Sequence, residues 1–295
     1  MKISAGEKAF YSINNIVIFI VSLACLLPLI YIIATSFSSG LAIDAGKVYL
    51  WPVDFTTAAY KVLIVSTNLF RYFWNSIVVT VVGTVLSMIF TILCAYPLSK
   101  KKLFARKKIT FFVVFTMLFS GGVIPAYLLV KSLGLMNSYW AIWLTSLISP
   151  YNMLIMKSFF ENISEELEEA ARIDGCSEWR ILLQMYLPLS KAVLATLCLF
   201  YGVSYWNMFL KVLMYINDSK GFTLPVLIQQ MVFQLEQIKL GGSNSDLAAI
   251  AASGQVVSES VKSAGVVVLI LPLLAVYPFV QKYFVKGVML GSVKG

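Results

Sequence analysis

The chain alternates between long apolar runs and short polar stretches, and the runs have the length of membrane helices. Six of them lie near residues 14–37, 73–98, 109–130, 139–159, 192–212 and 262–281, and none holds Asp, Glu, Lys or Arg away from its ends. Crossing the ~30 Å hydrocarbon layer takes about 20 helical residues. A charge near the middle of such a helix costs about 2.5–3.5 kcal/mol on insertion scales. Length and lack of charge together predict an all-α integral membrane fold of six transmembrane helices, forming a single domain over residues 1–295.

Composition agrees. Hydrophobic residues make up 59% of the chain and charged ones 13%. A soluble domain carries about 45–50% and about 25%, so this chain has too little polar surface to face water all round. The first run begins near Ile16 and ends near Phe37. It is too long for a secretory signal and lacks a small-residue cleavage site, so an uncleaved helix is expected. Ala24-Cys25 faintly resembles a lipoprotein site, but apolar sequence continues past it.

The formal net charge is +9. In a soluble protein that would suggest nucleic acid. Here the basic residues flank apolar runs, and no basic domain stands apart, so nucleic acid is not an expected partner. Their role is to set orientation. Lys100, Lys101, Lys102, Arg106, Lys107 and Lys108 form one block that should face the cytoplasm. Lys2 and Lys8 at the N-terminus, and Lys282, Lys286 and Lys294 in the C-tail, fall on the same side. Both termini are therefore expected on the cytoplasmic side of the membrane. The opposite side carries the long loops 38–72 and 213–261.

Catalysis is not expected. Histidine is absent, which removes the usual general base and the commonest metal ligand. The cysteines Cys25, Cys94, Cys176 and Cys198 place no pair in one extramembrane loop, so neither a disulfide framework nor a metal site is expected. The chain has no G-x-x-x-x-G-K-[ST] phosphate loop, no nucleophile with an evident base, and no sign of a cofactor of its own.

One polar stretch between the fourth and fifth runs breaks the pattern. Glu161, Glu165, Glu166, Glu168, Glu169, Asp174 and Glu178 are seven of the chain's 14 acidic residues. The stretch reads as two short helices. Ser164 can cap the first, and Glu165 and Glu166 then sit where a helix N-terminus favours negative charge. Leu167, Ala170, Ala171 and Ile173 supply a small apolar face. Gly175 ends this helix, because glycine tolerates the left-handed cap. Ser177 can cap a second helix, which Pro188 punctuates.

These residues resemble the permease subunits of ATP-binding-cassette (ABC) importers. The cytoplasmic signature of that family is Glu-Ala-Ala, three residues, Gly, nine residues, Ile, one residue, Leu-Pro. Here Glu169-Ala170-Ala171 is followed by Arg172-Ile173-Asp174 and Gly175, then by Met185, Tyr186 and Leu187-Pro188. Met185 replaces the usual Ile, a volume-tolerant exchange. Ser164 stands where the family often has Pro, and both suit a helix start. Further stretches are similar to the carbohydrate-uptake branch, most of all to its polysaccharide and complex-oligosaccharide permeases. They are Met117–Gly122, Trp206-Asn207, Tyr277-Pro278-Phe279 and Gln281–Gly287.

The resemblance implies the type I importer permease fold and the import of oligosaccharides or polysaccharide fragments. It implies that residues 161–188 insert into a cleft on an ATPase, with Glu169, Ala170, Ala171, Asp174, Gly175, Leu187 and Pro188 as coupling residues. It also implies an assembly of a second homologous permease subunit, two ATPase subunits that bind ATP and magnesium, and an extracellular solute-binding protein docking on the outer loops. Import of a non-sugar solute is an alternative. A secondary transporter is a weaker one, because proton-coupled carriers place Asp, Glu or His within their helices. A membrane scaffold or sensor would have no use for the acidic segment.

A sugar path needs neutral hydrogen-bonding groups and aromatic faces. On the fifth run, helical spacing puts Tyr201, Ser204, Tyr205 and Met208 on one face, with Asn207 at its edge and Trp206 roughly opposite. On the fourth, Ser146, Ser149, Pro150 and Met153 share a face, with Asn152 beside them. These two faces are candidates to line the path, with helix packing as the other reading. Along the second run, Thr80, Gly83, Thr84, Ser87 and Thr91 form a small-residue stripe suited to close helix packing, within the chain or against a partner permease. Ser120-Gly121-Gly122 and Pro125 predict a kink in the third run. No Lys or Arg is expected at membrane depth to meet an acidic substrate.

Overall fold

A computed structural model describes residues 5–65, 68–119, 121–239 and 256–292. The regular elements among these are all helical. They are α1 Ala5–Ser36, α2 Gly40–Asp44, α3 Ala58–Val65, α4 Leu69–Ser99, α5 Arg106–Leu118, α6 Val123–Ser132, α7 Tyr139–Thr145, α8 Pro150–Glu161, α9 Glu165–Ile173, α10 Glu178–Ile181, α11 Lys191–Trp206, α12 Leu210–Tyr215, α13 Leu224–Lys239 and α14 Ser258–Ser292. A wide π turn at Leu182–Tyr186 and a short helix at Leu187–Leu189 continue α10. Lys2, Ser120, residues 240–255 of the expected outer loop 213–261 and Lys294 lie outside the described residues. So do the side chains of Lys8 and of Phe279 onward.

Among the described residues, three helices are long and apolar enough to cross a membrane alone: Phe10–Ser36, Leu69–Ser99 and Ser258–Pro278. The third run bends by 113° between α5 and α6. Gly122 supplies a positive φ of 87° there, a conformation costly to residues with a Cβ. The segment Glu178–Leu189 meets α11 at 83°. The fourth run departs most from expectation. It is two helices, α7 and α8, parted at residues 146–149, and Ser149 caps α8 ahead of Pro150. Pro150 cannot donate a backbone hydrogen bond, so a continuous helix is interrupted here.

The chain divides into two compact units. In the unit formed by Met1–Phe70 and Leu227–Pro272, the 18-residue apolar window of α1 has no buried residue. So apolar a helix, uncovered by protein, has lipid as its solvent. Beyond it the chain is ordered. Ser39 N–H donates to the Val53 carbonyl and Thr56 N–H to that of Phe37. Phe37 stacks on Phe55, and Tyr60 Oη donates to Ser36 Oγ at 2.9 Å.

The unit formed by Arg71–Val226 and Leu273–Gly295 holds the larger core. Val79, Met88, Ala95, Met156, Phe160, Ile181, Leu197, Tyr201 and Tyr205 are among its buried members. The small-residue stripe of α4 packs inside this unit. Gly83 faces the Tyr205 ring, Ser87 Oγ lies 2.9 Å from Tyr205 Oη, and Thr91 Oγ1 lies 2.7 Å from Tyr201 Oη. These positions are thus consumed by the chain's own α11 rather than left for a partner. The hydroxyls of Thr80 and Thr84 are buried without a hydrogen-bond partner.

Candidate functional site

The 161–188 segment folds as helix, turn, helix. Glu165, Glu166 and Glu168 occupy the first turn of α9 and Arg172 its last, the charge order that the helix dipole favours. Ser164 precedes the helix, but its hydroxyl makes no capping bond, so the expected cap is replaced by this charge order. Gly175 takes φ +76°. The Cys176 N–H closes onto the Ala171 carbonyl and the Gly175 N–H onto that of Arg172, the left-handed ending that glycine permits. Ser177 Oγ accepts from the Arg180 N–H and starts α10.

The residue that α9 buries most is not one of its apolar ones. Glu168 is buried, whereas Leu167 and Ile173 are exposed. Tertiary charge pairing overrides the apolar pattern. Lys100 Nζ donates to Glu168 Oε2 at 2.6 Å and to Tyr186 Oη at 2.9 Å, and the Tyr186 hydroxyl donates to the same carboxylate oxygen at 2.7 Å. The ammonium also stands 4.1 Å from the ring centres of both Tyr96 and Tyr186, within cation–π range. Arg172 bridges Glu168 at 2.8 Å and Glu178 at 2.5 Å. Tyr96 Oη donates to Glu178 Oε2.

Burial raises the Glu168 pKa. The bonds from Lys100, Tyr186 and Arg172, with the Lys100 charge, outweigh it and hold the carboxyl below its ordinary value. Arg106 and Lys157 both pair with Glu161. A cavity of about 290 Å³ opens beside this network, with Lys101, Arg106, Glu165 and Glu169 among its lining residues. The network fastens α9 and α10 to the end of α4 and leaves Leu167, Ile173, Trp179 and Leu183 facing outward.

Of the residues singled out in this segment, Glu169, Ala170, Asp174, Gly175 and Pro188 are exposed, while Ala171 and Leu187 are half-buried against the core. Sequence reasoning missed Lys100, Glu168, Tyr96 and Tyr186 as a cluster. The Glu168–Arg172 pair was legible from its i, i+4 spacing. The Lys100–Glu168 contact spans 68 positions and has no local signal.

A second polar cluster surrounds the break between α7 and α8. The Ser149 N–H donates to Tyr201 Oη at 2.9 Å, and Tyr205 Oη donates to the Ser146 carbonyl at 3.2 Å. Two tyrosines thus satisfy backbone groups that the interrupted helix frees, as burial in lipid requires. Lys211 lies at the end of the fifth run, 192–212. Its ammonium reaches the break, donating to the Thr145 carbonyl at 2.9 Å and to Ser146 Oγ at 2.6 Å. Tyr201, Tyr205, Asn152, Met153 and Trp206 are buried. Ser204 and Asn207 are exposed, and Ser149 and Met208 are half-buried.

Comparison with known proteins places these features in context. Residues 83–290 match the family described as binding-protein-dependent transport system inner membrane component. The polygalacturonan/rhamnogalacturonan transport system permease protein YtcP of Bacillus subtilis is 43% identical over 274 residues, which cover 93% of this chain and 94% of that protein. The protein LplC of the same organism is 44% identical over 270 residues, covering 92% and 90%. Among solved structures, a bacterial ABC transporter involved in import of the acidic polysaccharide alginate matches with TM-score 0.84 and 34% identity, covering 96% of this chain and 99% of that one.

Proposed function

The chain belongs to the family of binding-protein-dependent transport system inner membrane components, and from that membership we propose that it is a permease subunit of an ATP-driven importer of oligosaccharides or polysaccharide fragments. It forms half of the path together with a second homologous permease. Two ATPase subunits bind ATP and magnesium, and an extracellular solute-binding protein delivers the cargo. The chain itself is not an enzyme.

The observation that carries this reading is the α9–α10 pair. It is acidic, apolar on its outward face, and clamped to the end of α4 by Lys100, Glu168, Tyr186 and Arg172. A short helix pair on a stiff mount suits the transmission of force from a soluble partner. Glu169, Ala170, Ala171, Asp174, Gly175, Leu187 and Pro188 are its coupling residues, and Leu167, Ile173 and Trp179 supply apolar contact. ATP binding closes the ATPases, the pair moves with them, and the bent and broken helices open the path outward. ATP drives this shift only through its different affinity for the two states. The 99–108 block and both termini lie on the ATPase side in this arrangement.

For the path itself, exposure favours Ser204 and Asn207 as sugar-facing groups. Tyr201, Tyr205, Ser149 and Asn152 then hold the walls. The reading is tested by reconstituting the complete complex in proteoliposomes. Saccharide-loaded binding protein should stimulate ATP hydrolysis and saccharide uptake together. ATP hydrolysis that responds to no saccharide-loaded binding protein, with no uptake, would overturn it.

A further inference from the structure

Lys211 is a cation to which, among the described residues, neither the fold nor the coupling network brings a counter-charge. It sits on α12, and its ammonium is directed into the break between α7 and α8. Both of its acceptors there are neutral oxygens. Among the described residues no carboxylate pairs with it. The nearest acid in sequence, Asp218, instead accepts from the Lys220 backbone N–H. A half-buried ammonium without a counter-ion is costly, and it gains strongly when a carboxylate arrives.

The surroundings share this sign. Hydrogen bonds gather residues 75, 137–139 and 215–222 around the same end of the unit. Asn75 Nδ2 donates to the Lys220 and Phe222 carbonyls, and Asn137 Oδ1 accepts from the Asn217 and Asp218 N–H groups. Over residues 71–75, 119–139 and 207–226 the sequence carries Arg71, Lys131, Lys211 and Lys220 against Asp218 alone. Such an excess attracts polyanions and is not needed to orient helices if this end lies outside.

We propose that Lys211 is a specificity-determining cation of the translocation path, engaging the carboxylates of acidic saccharides, oligomers of uronate units, as they pass the break in the fourth membrane run. One proton of its ammonium meets the uronate while the other two keep the bonds to Thr145 and Ser146. Exposed Ser204 and Asn207 meet the neutral hydroxyls. This inference rests on the saccharide-importer reading above.

The test uses the complete complex with its binding protein and a panel of neutral and uronate oligosaccharides, including trigalacturonate and galactotriose. Wild type should import uronate members, and this uptake should weaken as salt rises. Lys211→Gln should lower uronate uptake about tenfold or more while ATP hydrolysis stimulated by the loaded binding protein persists. Lys211→Arg should keep most uronate uptake. The proposal is overturned if Lys211→Gln imports uronates at the wild-type rate. It is equally overturned if the Gln and Arg variants lose uptake and ATP hydrolysis in step, since Lys211 would then only cap α7. Should the Gln variant not assemble, uronate uptake by wild type that ignores salt overturns it. Uptake of neutral members alone overturns it while leaving the importer reading intact. Response to no member of the panel overturns the importer reading as well.

Discussion

Lys100 Nζ and Glu168 Oε2 stand 2.6 Å apart, joining the residue that follows the membrane-length helix α4 to the acidic helix α9. Both side chains are largely buried, and Tyr186 shares the same carboxylate oxygen. Removing one partner leaves the other charge buried and unmatched, which costs about 3–5 kcal/mol where pairs are fully buried. Lys100→Met and Glu168→Gln should therefore each lower the melting temperature of the purified protein. In a double-mutant cycle the two losses should couple by about 1–3 kcal/mol. Strictly additive losses would mean that the pair does not clamp the helix.

The same carboxylate predicts a pH response. Its folded pKa lies below the ordinary value of 4.5, so folding binds fewer protons here than the unfolded chain does. Its stabilising contribution is complete above that ordinary value and is lost as pH falls through the depressed folded value. Melting temperatures from about pH 6 to about pH 3 should drop more steeply for wild type than for Glu168→Gln. Parallel curves would contradict the assignment.

How far the sequence reached is visible in these residues. The apolar runs, the acidic pair of helices and the Gly175 ending were legible because each rests on local spacing. The clamp was not, since it depends on two residues 68 positions apart. Glu168 was hidden among its acidic neighbours, and only tertiary structure selects the one that turns inward. The break in the fourth run was missed because hydropathy ignores which backbone groups are paired. Ser149-Pro150 was its one local sign. Lys211 marked the end of a run by composition, yet its long side chain carries the charge back to residues 145–146.

Gly83 tests the packing of α4 on α11. A Cβ there would lie 2.7 Å from the Tyr205 ring. Gly83→Ala should cost about 1–3 kcal/mol by overpacking, read as a fall in melting temperature. Tyr205→Leu in the same background should recover part of that loss. No recovery would place the strain elsewhere.

Gly175 tests the turn between α9 and α10. Its φ is +76°, and no atom lies within 4 Å of a Cβ built there. Gly175→Ala should therefore cost about 1 kcal/mol, from backbone conformation alone. Gly175→Asn should cost less, because Asn tolerates the left-handed region better. Equal losses in thermal unfolding would point to a contact rather than to the backbone.

The central claim is that α9 and α10 pass motion between this permease and a separate ATPase. Ile173 is 86% exposed on that surface, which makes it the place to look. A photo-reactive amino acid at Ile173, activated in intact membranes, is predicted to cross-link to the ATPase subunit, and the yield should change when ATP is added. A cross-link to no other polypeptide, or labelling of this position by an impermeant reagent from outside the cell, would contradict the account.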